Sequence, residues 1–544
     1  MGATVEQLVL VVSVFWALSA NSAFLEAALH DRAHDAPATW WFGAALLVML
    51  VAVHALLVAP FANRFTVKPL LSLLIVVGAS ASFYADAFGV FMDPSMLRNV
   101  LRTDPGEAKE LLSLRLAGHL LLFAGLPLML LWWVRVRPRT WGRALGRRLA
   151  FIGLMLLALL IAMWSVFQPL SSLMRSQKEL RYLITPANVV WSVGSVLAAD
   201  AKGAAKPRQV IGEDASAGPS WAARSKPLVL IVVVGETARA ANWGLSGYAR
   251  NTTPRLADLG VHNFSNVTAC GTNTETSLPC MFAPVGRRDY DEARIRGQQS
   301  LLHVAVRAGA QVHWLDNQSG CKGVCEGLPV TLTNPKTTPE LCPDNRCLDE
   351  ALVHDLDKRL AEAKGTQLWV LHMLGNHGPS YFRRYPPEFA RFLPDCRKDD
   401  LQRCSVAELV NAYDNALLYT DHVLARAIER LRARASQVDS ALIYLSDHGE
   451  SLGENGLFLH GLPYAIAPDV QTKVPMVVWT SPGLDAASGL RPDCLAPQLK
   501  KNAAAALAHD HLFHTVLGLL DIRTRLHVPT LDLSAPCRGA PAGP

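Results

Sequence analysis

No cysteine precedes Cys270 in this 544-residue chain, and the arginine-rich stretch 135–148 contains no acid. There is no internal repeat, no collagen-like period and no Gln/Asn-rich tract, which excludes repeat arrays and low-complexity fibres. Strong net charge is missing too: the formal value is +6, which alone implies no particular partner. The first apolar run is not followed by a small-residue cleavage site and soluble sequence, so a cleaved signal peptide does not explain it. The chain is long enough for more than one domain and a sizeable core.

The first 170 residues are dominated by apolar runs, approximately 7–29, 41–61, 69–90, 115–134 and 149–169. Crossing a bilayer takes roughly 20 apolar residues, and five such runs in succession argue against buried core helices. Arg135, Arg137, Arg139, Arg143, Arg147 and Arg148 mark one loop as cytoplasmic, and Arg64 and Lys68 lie on the same side two crossings earlier. The N-terminus is then inside, and everything after about residue 170 is outside.

The ten cysteines agree with an exported domain, since all lie between Cys270 and Cys537. Neighbours in sequence are Cys270/Cys280, Cys321/Cys325, Cys342/Cys347 and Cys396/Cys404, leaving Cys494 and Cys537. An even count in an oxidising compartment points to disulfides. The C-x₃-C spacing of Cys321 and Cys325 also fits a zinc-thiolate hairpin.

Three regions follow: a transmembrane domain with five helices (1–170), an amphipathic bridging helix and linker (171–225), and an α/β domain (226–544). Before the fourth crossing, Asn99, Thr103 and Glu107 have the i, i+4, i+8 spacing of one helix face, with Pro105 placed to bend it. Residues 170–200 read as an amphipathic helix broken at Pro186, and 201–225 as a linker rich in Ala, Gly, Ser, Pro and charge. Beyond it, "KPLVLIVVVGET" (226–237) is a strand buried on both faces. "QVHWLD" (311–316), "QLWVLHML" (367–374), "SALIYLSDHGE" (440–450) and "VPMVVWT" (474–480) continue the pattern, with helices at 300–309 and 405–434 between them. Alternation of this kind predicts a mostly parallel sheet between helices, with ligands gathered beyond the strands' carboxyl ends.

Polar clusters fall at those ends. Glu236 caps a helix or binds a metal. Asp447 and His448 supply one hard oxygen and one imidazole, a pair suited to zinc or manganese, and Gly449 permits a sharp exit from the strand. "ACGTNTETSLPCMF" (269–282) reads as a turn into a helix, with a Thr hydroxyl near the helix start facing a bound phosphate. Threonine is a poor nucleophile until a metal or base assists it. A zinc on Glu236, Asp447 and His448 leaves a fourth position for such an oxygen.

These motifs, in this order, closely resemble the lipid A phosphoethanolamine transferases of the alkaline phosphatase/sulfatase superfamily, a family that includes the mobile colistin-resistance enzymes. The resemblance covers nearly the whole chain and rests on "VVVGETARAANWGLSGYARNTTP" (232–254), "ACGTNTETSLPCMF", "WLDNQSGCKGVC" (314–325), "HMLGNHGPSYFRRYP" (372–386), "NAYDNALLYTD" (411–421) and "YLSDHGESLGENGLFLHGLP" (444–463). It shows no family string in 201–225. It implies Thr274 as nucleophile, with zinc ligands Glu236, Thr274, Asp447 and His448 and substrate-side residues Lys322, His377 and His460. Asn99, Thr103 and Glu107 match a pattern near the donor-lipid head group. The resemblance also implies local disulfides between the four neighbouring pairs. Cys494 and Cys537 are expected to pair as the remainder.

The implied activity takes phosphoethanolamine from phosphatidylethanolamine to a phosphate of lipid A through a covalent Thr, with one firm Zn2+ and a second, transient one. The implied setting is the Gram-negative inner membrane, with a periplasmic catalytic domain, a monomeric protein and no nucleic-acid partner. The product resists cationic peptides such as polymyxin and colistin. The alternatives are a lipopolysaccharide core-sugar acceptor, a phosphodiesterase-type hydrolase, or a non-catalytic binding protein. A sulfatase would mature Cys or Ser within C/S-x-P-x-R, and no such string occupies 269–282.

Overall fold

The computed structural model describes the chain apart from residues 1, 31, 34, 104, 205–206, 344–345 and 539–544 and the side chains of 105–107 and 202–204. Two compact units form: Met1–Leu101 with Leu112–Ala198, and Arg102–Leu111 with Ala199–Pro544.

In the first unit the opening run is broken into α1 (Val5–Ser19) and α2 (Ser22–Leu29), bent by 55°. The break has a side-chain cause. Asn21 is fully buried. Its Nδ2 donates to the carbonyls of Trp16 and Thr185, each at 2.8 Å, and its Oδ1 accepts the Thr185 amide at 3.0 Å. A side chain that takes over backbone bonding lets a helix break among apolar neighbours. Helices α3 (Pro37–Val58), α4 (Val67–Phe88), α5 (Pro94–Arg102), α6 (Pro105–Glu110), α7 (Leu114–Trp133) and α8 (Trp141–Ser165) follow. By length and composition α3, α4, α7 and α8 are fit to cross a bilayer, and the bent pair brings the total to five at most.

The loop before the fourth crossing departs from expectation. α5 ends at Arg102 and α6 starts at Pro105, a residue suited to the first position of a helix and not to its interior. Asn99, Thr103 and Glu107 therefore do not share one continuous helix face. Asn99 lies in α5 in the first unit, Thr103 lies between the helices in the second, and the Glu107 side chain is outside the described residues.

α9 (Phe167–Ser176) is followed by a 3₁₀ segment and, after Pro186, by α10 (Ala187–Ala204), which runs past the expected start of the linker. The rest of that stretch is partly built into the α/β fold. Ser216–Ala217 pairs with Ile522–Arg523, and the Ser220 amide donates to Asp521 Oδ2 at 3.0 Å. Its small polar residues read as a linker because their partners lie some three hundred residues away.

The sheet of the second unit comprises β1 (Leu228–Gly235), β2 (His262–Thr268), β3 (Gln311–Asp316), β4 (Val330–Leu332), β5 (Thr366–His372), β6 (Asp439–Ser446), β7 (Lys473–Thr480) and β8 (Leu507–Ala508), in the order β8-β2-β7-β6-β1-β5-β3-β4. Only β7 runs antiparallel to its neighbours; the other pairs are parallel. Leu228, Leu230, Val232 and Val234 of β1 share a core with Leu301 and Leu302 of one helix, and with Leu512 and Phe513 of another. Here α11 is Thr274–Met281, α12 Leu301–Arg307, α13 Val406–Ala433 and α14 Asp510–Leu520. Side chains alternate along a strand, so Val229, Ile231 and Val233 face the other way, and they are buried as well. Each such side chain contributes about 1.5–3 kcal/mol, which makes the sheet a rigid platform for whatever sits at its end.

The cysteines form five disulfides: Cys270–Cys280, Cys321–Cys325, Cys342–Cys347, Cys396–Cys404 and Cys494–Cys537. The zinc-thiolate reading of Cys321 and Cys325 gives way to a disulfide.

Candidate active site

β1 and β6 are parallel neighbours, so Glu236 and Asp447-His448 leave the sheet side by side. The approach needs glycine: a Cβ on Gly235 would lie 2.5 Å from Tyr444 Oη. Immediately after Glu236 the backbone reverses at Thr237, whose φ of 53° is costly for a β-branched residue. Tyr413 Oη from α13 donates to the Thr237 carbonyl at 2.6 Å, and the Thr237 amide donates to Asp447 Oδ1 at 3.2 Å. Gly449 allows a close approach of two backbone segments. Its φ is not positive; a Cβ there would run into the Val470 carbonyl. Gly375 is left-handed, at φ 51°, and a Cβ there would lie 2.7 Å from the Glu236 carbonyl.

Glu236, Asp447 and His448 have no exposed surface. His448 Nε2 lies 3.3 Å from both Glu236 Oε1 and Asp447 Oδ2. One donor atom from each residue falls within 4.8 Å of the others, the only such group among the described residues. Two details suit a cation. Asp447 Oδ1 accepts the Thr237 and His448 amides, while Oδ2 accepts no hydrogen bond. His448 Nδ1 donates to the Gly449 carbonyl at 2.9 Å, which leaves the Nε2 lone pair facing the carboxylates. Burial, reinforced by Asp447, pushes Glu236 up to about 7. Burial opposes charge on His448 as well, but Asp447 and Glu236 outweigh it and hold the imidazole up to about 10. Two carboxylates and an imidazole crowded into a dry site call for a compensating positive charge, which a divalent cation supplies. Two hard oxygens and one imidazole fit zinc or manganese.

Thr274 opens α11, with Asn273 as its cap accepting the Thr276 amide at 3.0 Å. The Thr274 hydroxyl donates to Glu236 Oε2 at 3.1 Å and lies 3.5 Å from His448 Nε2. Besides the Cys270–Cys280 disulfide, several contacts pin this turn to the loop after β6. Ser277 Oγ donates to the Asp447 carbonyl. His509 Nδ1 accepts the Cys270 amide at 3.1 Å, and its Nε2 donates to the Ser446 carbonyl at 2.9 Å. Burial lowers His509 to about 4, in keeping with the neutral tautomer this needs. Thr272 Oγ1 donates to the Leu462 carbonyl at 2.6 Å.

Around this centre, the His460 ring lies 4.3 Å from His448, tilted by 45°, and 5.8 Å from His377, edge-on, ring centre to ring centre. His460 Nδ1 donates to Glu450 Oε2 at 2.8 Å, and Tyr381 Oη donates to the other Glu450 oxygen at 2.5 Å. Burial, then the neighbouring His448, keeps His460 well below the usual imidazole range. Lys322 does not reach the Glu236 cluster. Its Nζ donates to Ser319 Oγ at 2.7 Å and lies 3.4 Å from Glu275 Oε1.

Sequence reasoning missed Gln318, His372 with Asp316, and His509. Gln318 Nε2 donates to Glu236 Oε2 at 3.1 Å. His372 Nδ1 lies 3.0 Å from Asp316 Oδ2, and against the cost of burial His372 holds Asp316 down to about 2. Strand-end position was the available signal for His372 and Asp316, while Gln318 and His509 carried none.

Residues 229–522 match the sulfatase family, and residues 50–201 match the family described as phosphoethanolamine transferase EptA/EptB. The chain is 38% identical to phosphoethanolamine transferase EptA of Salmonella typhimurium, over 85% of this chain and 84% of the relative. It is 37% identical to phosphatidylethanolamine transferase Mcr-1 of Escherichia coli, over 95% of this chain and 94% of that one. Its fold superimposes on the integral membrane lipooligosaccharide phosphoethanolamine transferase A (EptA) of Neisseria meningitidis with a TM-score of 0.92, at 36% identity and over 99% of both chains. With a sulfatase-type sheet, a dry Glu-Asp-His cluster and relatives matched over nearly their full length, the chain belongs to the EptA/Mcr family of phosphoethanolamine transferases, in the sulfatase/alkaline phosphatase superfamily.

Proposed function

We propose that this protein moves phosphoethanolamine from phosphatidylethanolamine to a phosphate of lipid A, with Thr274 as the covalent carrier. The observation that carries the reading is the Thr274 hydroxyl at 3.1 Å from Glu236 Oε2, beside the buried Glu236-Asp447-His448 cluster. Glu236, Asp447, His448 and the Thr274 oxygen make the four-ligand set of a zinc site. Bound zinc supplies Lewis acidity, lowering the pKa of the Thr274 hydroxyl and neutralising charge on the phosphoryl group.

In the first half-reaction Thr274 Oγ1 loses its proton and bonds to the donor's phosphorus, while the bond from phosphorus to the diacylglycerol oxygen breaks. That oxygen takes up a proton and diacylglycerol leaves. In the second, an oxygen of the lipid A phosphate bonds to the same phosphorus, the bond to Thr274 breaks and the hydroxyl regains its proton. His460 is assigned to proton transfer: Nδ1 is held on Glu450, and Nε2 accepts and returns the proton. His377 acts on the same side, and Lys322 adds positive charge for the phosphoryl oxygens. Asn99, Thr103 and Glu107 are assigned to the donor head group.

Helices fit to cross a bilayer suit a reaction whose substrates are both lipids. The N-terminus is cytoplasmic, the catalytic unit is periplasmic in the Gram-negative inner membrane, and the protein acts as a monomer. The ethanolamine ammonium makes the acceptor less anionic, so polymyxin and other cationic peptides bind it less well.

Mass spectra of lipid A from a Gram-negative host expressing the protein test the reading, beside Thr274→Ala. A phosphoethanolamine increment that vanishes in the variant is expected. Unmodified lipid A with a modified core overturns the acceptor, release of free phosphoethanolamine without acceptor points to a hydrolase, and an unchanged increment in the variant overturns the role of Thr274.

A further inference from the structure

The residue after Thr274 is an acid with no exposed surface, and its carboxylate meets cations from three distant parts of the chain. Arg102 Nη1 and Arg296 Nη2 each lie 3.2 Å from Glu275 Oε2, and Lys322 Nζ lies 3.4 Å from Oε1. Arg296 also donates to the Glu275 carbonyl. Two of these cations have further partners: Arg102 pairs with Asp200 at 3.1 Å, and Arg296 with Glu292 at 3.0 Å. Lys322 differs. Among the described residues Glu275 is the only carboxylate it pairs with, and Oε1 makes no hydrogen bond beyond that ion pair. With 5% of its side chain exposed, this ammonium has little water to compensate its charge and depends on Glu275. A phosphoryl group arriving at Thr274 brings negative charge to the neighbouring residue and competes for the same ammonium.

We propose that Glu275, next in sequence to Thr274, is a built-in counter-ion: a positioning residue that holds Lys322 when no substrate is bound and competes with the substrate's phosphoryl group for it. The charge of Glu275 thereby sets how tightly the site grips anions. This rests on the reading of Lys322 as a phosphoryl-side residue. The arrangement favours turnover, since an anion gripped too tightly in the ground state raises the barrier that follows.

Glu275→Gln keeps the shape and removes the charge. The test measures inorganic phosphate binding by calorimetry to the full-length, metal-loaded protein in detergent. Affinity should rise about tenfold in Glu275→Gln and stay within about twofold of wild type in Glu275→Asp, which keeps the charge. In Lys322→Ala, adding Glu275→Gln should bring no gain. In transfer assays Glu275→Gln should lower KM and kcat together, a split that simple loss of structure does not produce. Unchanged or weaker phosphate binding in Glu275→Gln overturns the inference. So does an equal gain in Glu275→Asp, or a gain that persists without Lys322. Phosphate binding is read without turnover, so a wild-type protein that transfers no phosphoethanolamine counts against the proposed function instead.

Discussion

Along α8, Leu154, Leu157, Leu160, Ile161 and Trp164 are exposed and Ala162 is the one buried residue, whereas all eight residues of β6 are inside. Both segments are strongly apolar, but they answer different solvents. A bilayer-crossing helix satisfies its backbone internally and turns its side chains to lipid, while β6 is wrapped on both faces to escape water. Buried polar groups divide in the same way. Asn21 in the first unit repairs backbone bonds at a helix break, and Glu236, Asp447 and His448 in the second concentrate charge where water is excluded. Apolar content therefore identifies a segment that avoids water without saying what replaces water around it.

Removing charge from the dry cluster should have the largest effect. Asp447→Ala should reduce bound metal from about one per chain to a trace, by elemental analysis, and slow transfer about 10³-fold; undiminished metal would mean the cluster is not the metal site. One truncation made in both units probes the contrast directly. Leu442→Ala, at 0% exposure in β6, should cost about 3 kcal/mol in detergent unfolding. Leu157→Ala, at 54% in α8, should cost less than about 0.5 kcal/mol. Equal costs would erase the distinction between lipid-facing and core leucines. Asn21→Ala strips partners from Trp16 and Thr185 and should cost about 2 kcal/mol, read the same way; an unchanged unfolding temperature would sever the bend from Asn21. Cys280→Ser should keep its metal and lose transfer about tenfold, because the turn presenting Thr274 loosens. Full activity there would leave Ser277 and His509 sufficient to hold it.

Legibility followed the local signal. Glu236, Asp447 and His448 were readable as strand-end groups because each follows a strand with a continuous apolar stretch, and β1, β3 and β7 began and ended near their expected limits. β2, "HNFSNVT", was not readable: only Phe264 and Val267 are buried in it, too few to set a period. The helical spacing of Asn99, Thr103 and Glu107 assumed a continuous helix that Pro105 interrupts. His509 had no pattern to announce it, and its importance comes from standing between the Cys270 amide and the Ser446 carbonyl.

The sequence by itself determined which segments avoid water, where the buried strands end, and which acids and histidines stand at those ends, because each is decided by neighbours a few residues away. Only the tertiary structure decided that Asn21 breaks the first helix, that Gly449 lies where a Cβ would meet the Val470 carbonyl, and that Glu275 gathers Arg102, Arg296 and Lys322. Arg102 and Glu275 are 173 residues apart. A buried carboxylate takes its partners from whatever the fold brings within about 4 Å, and no local spacing encodes that.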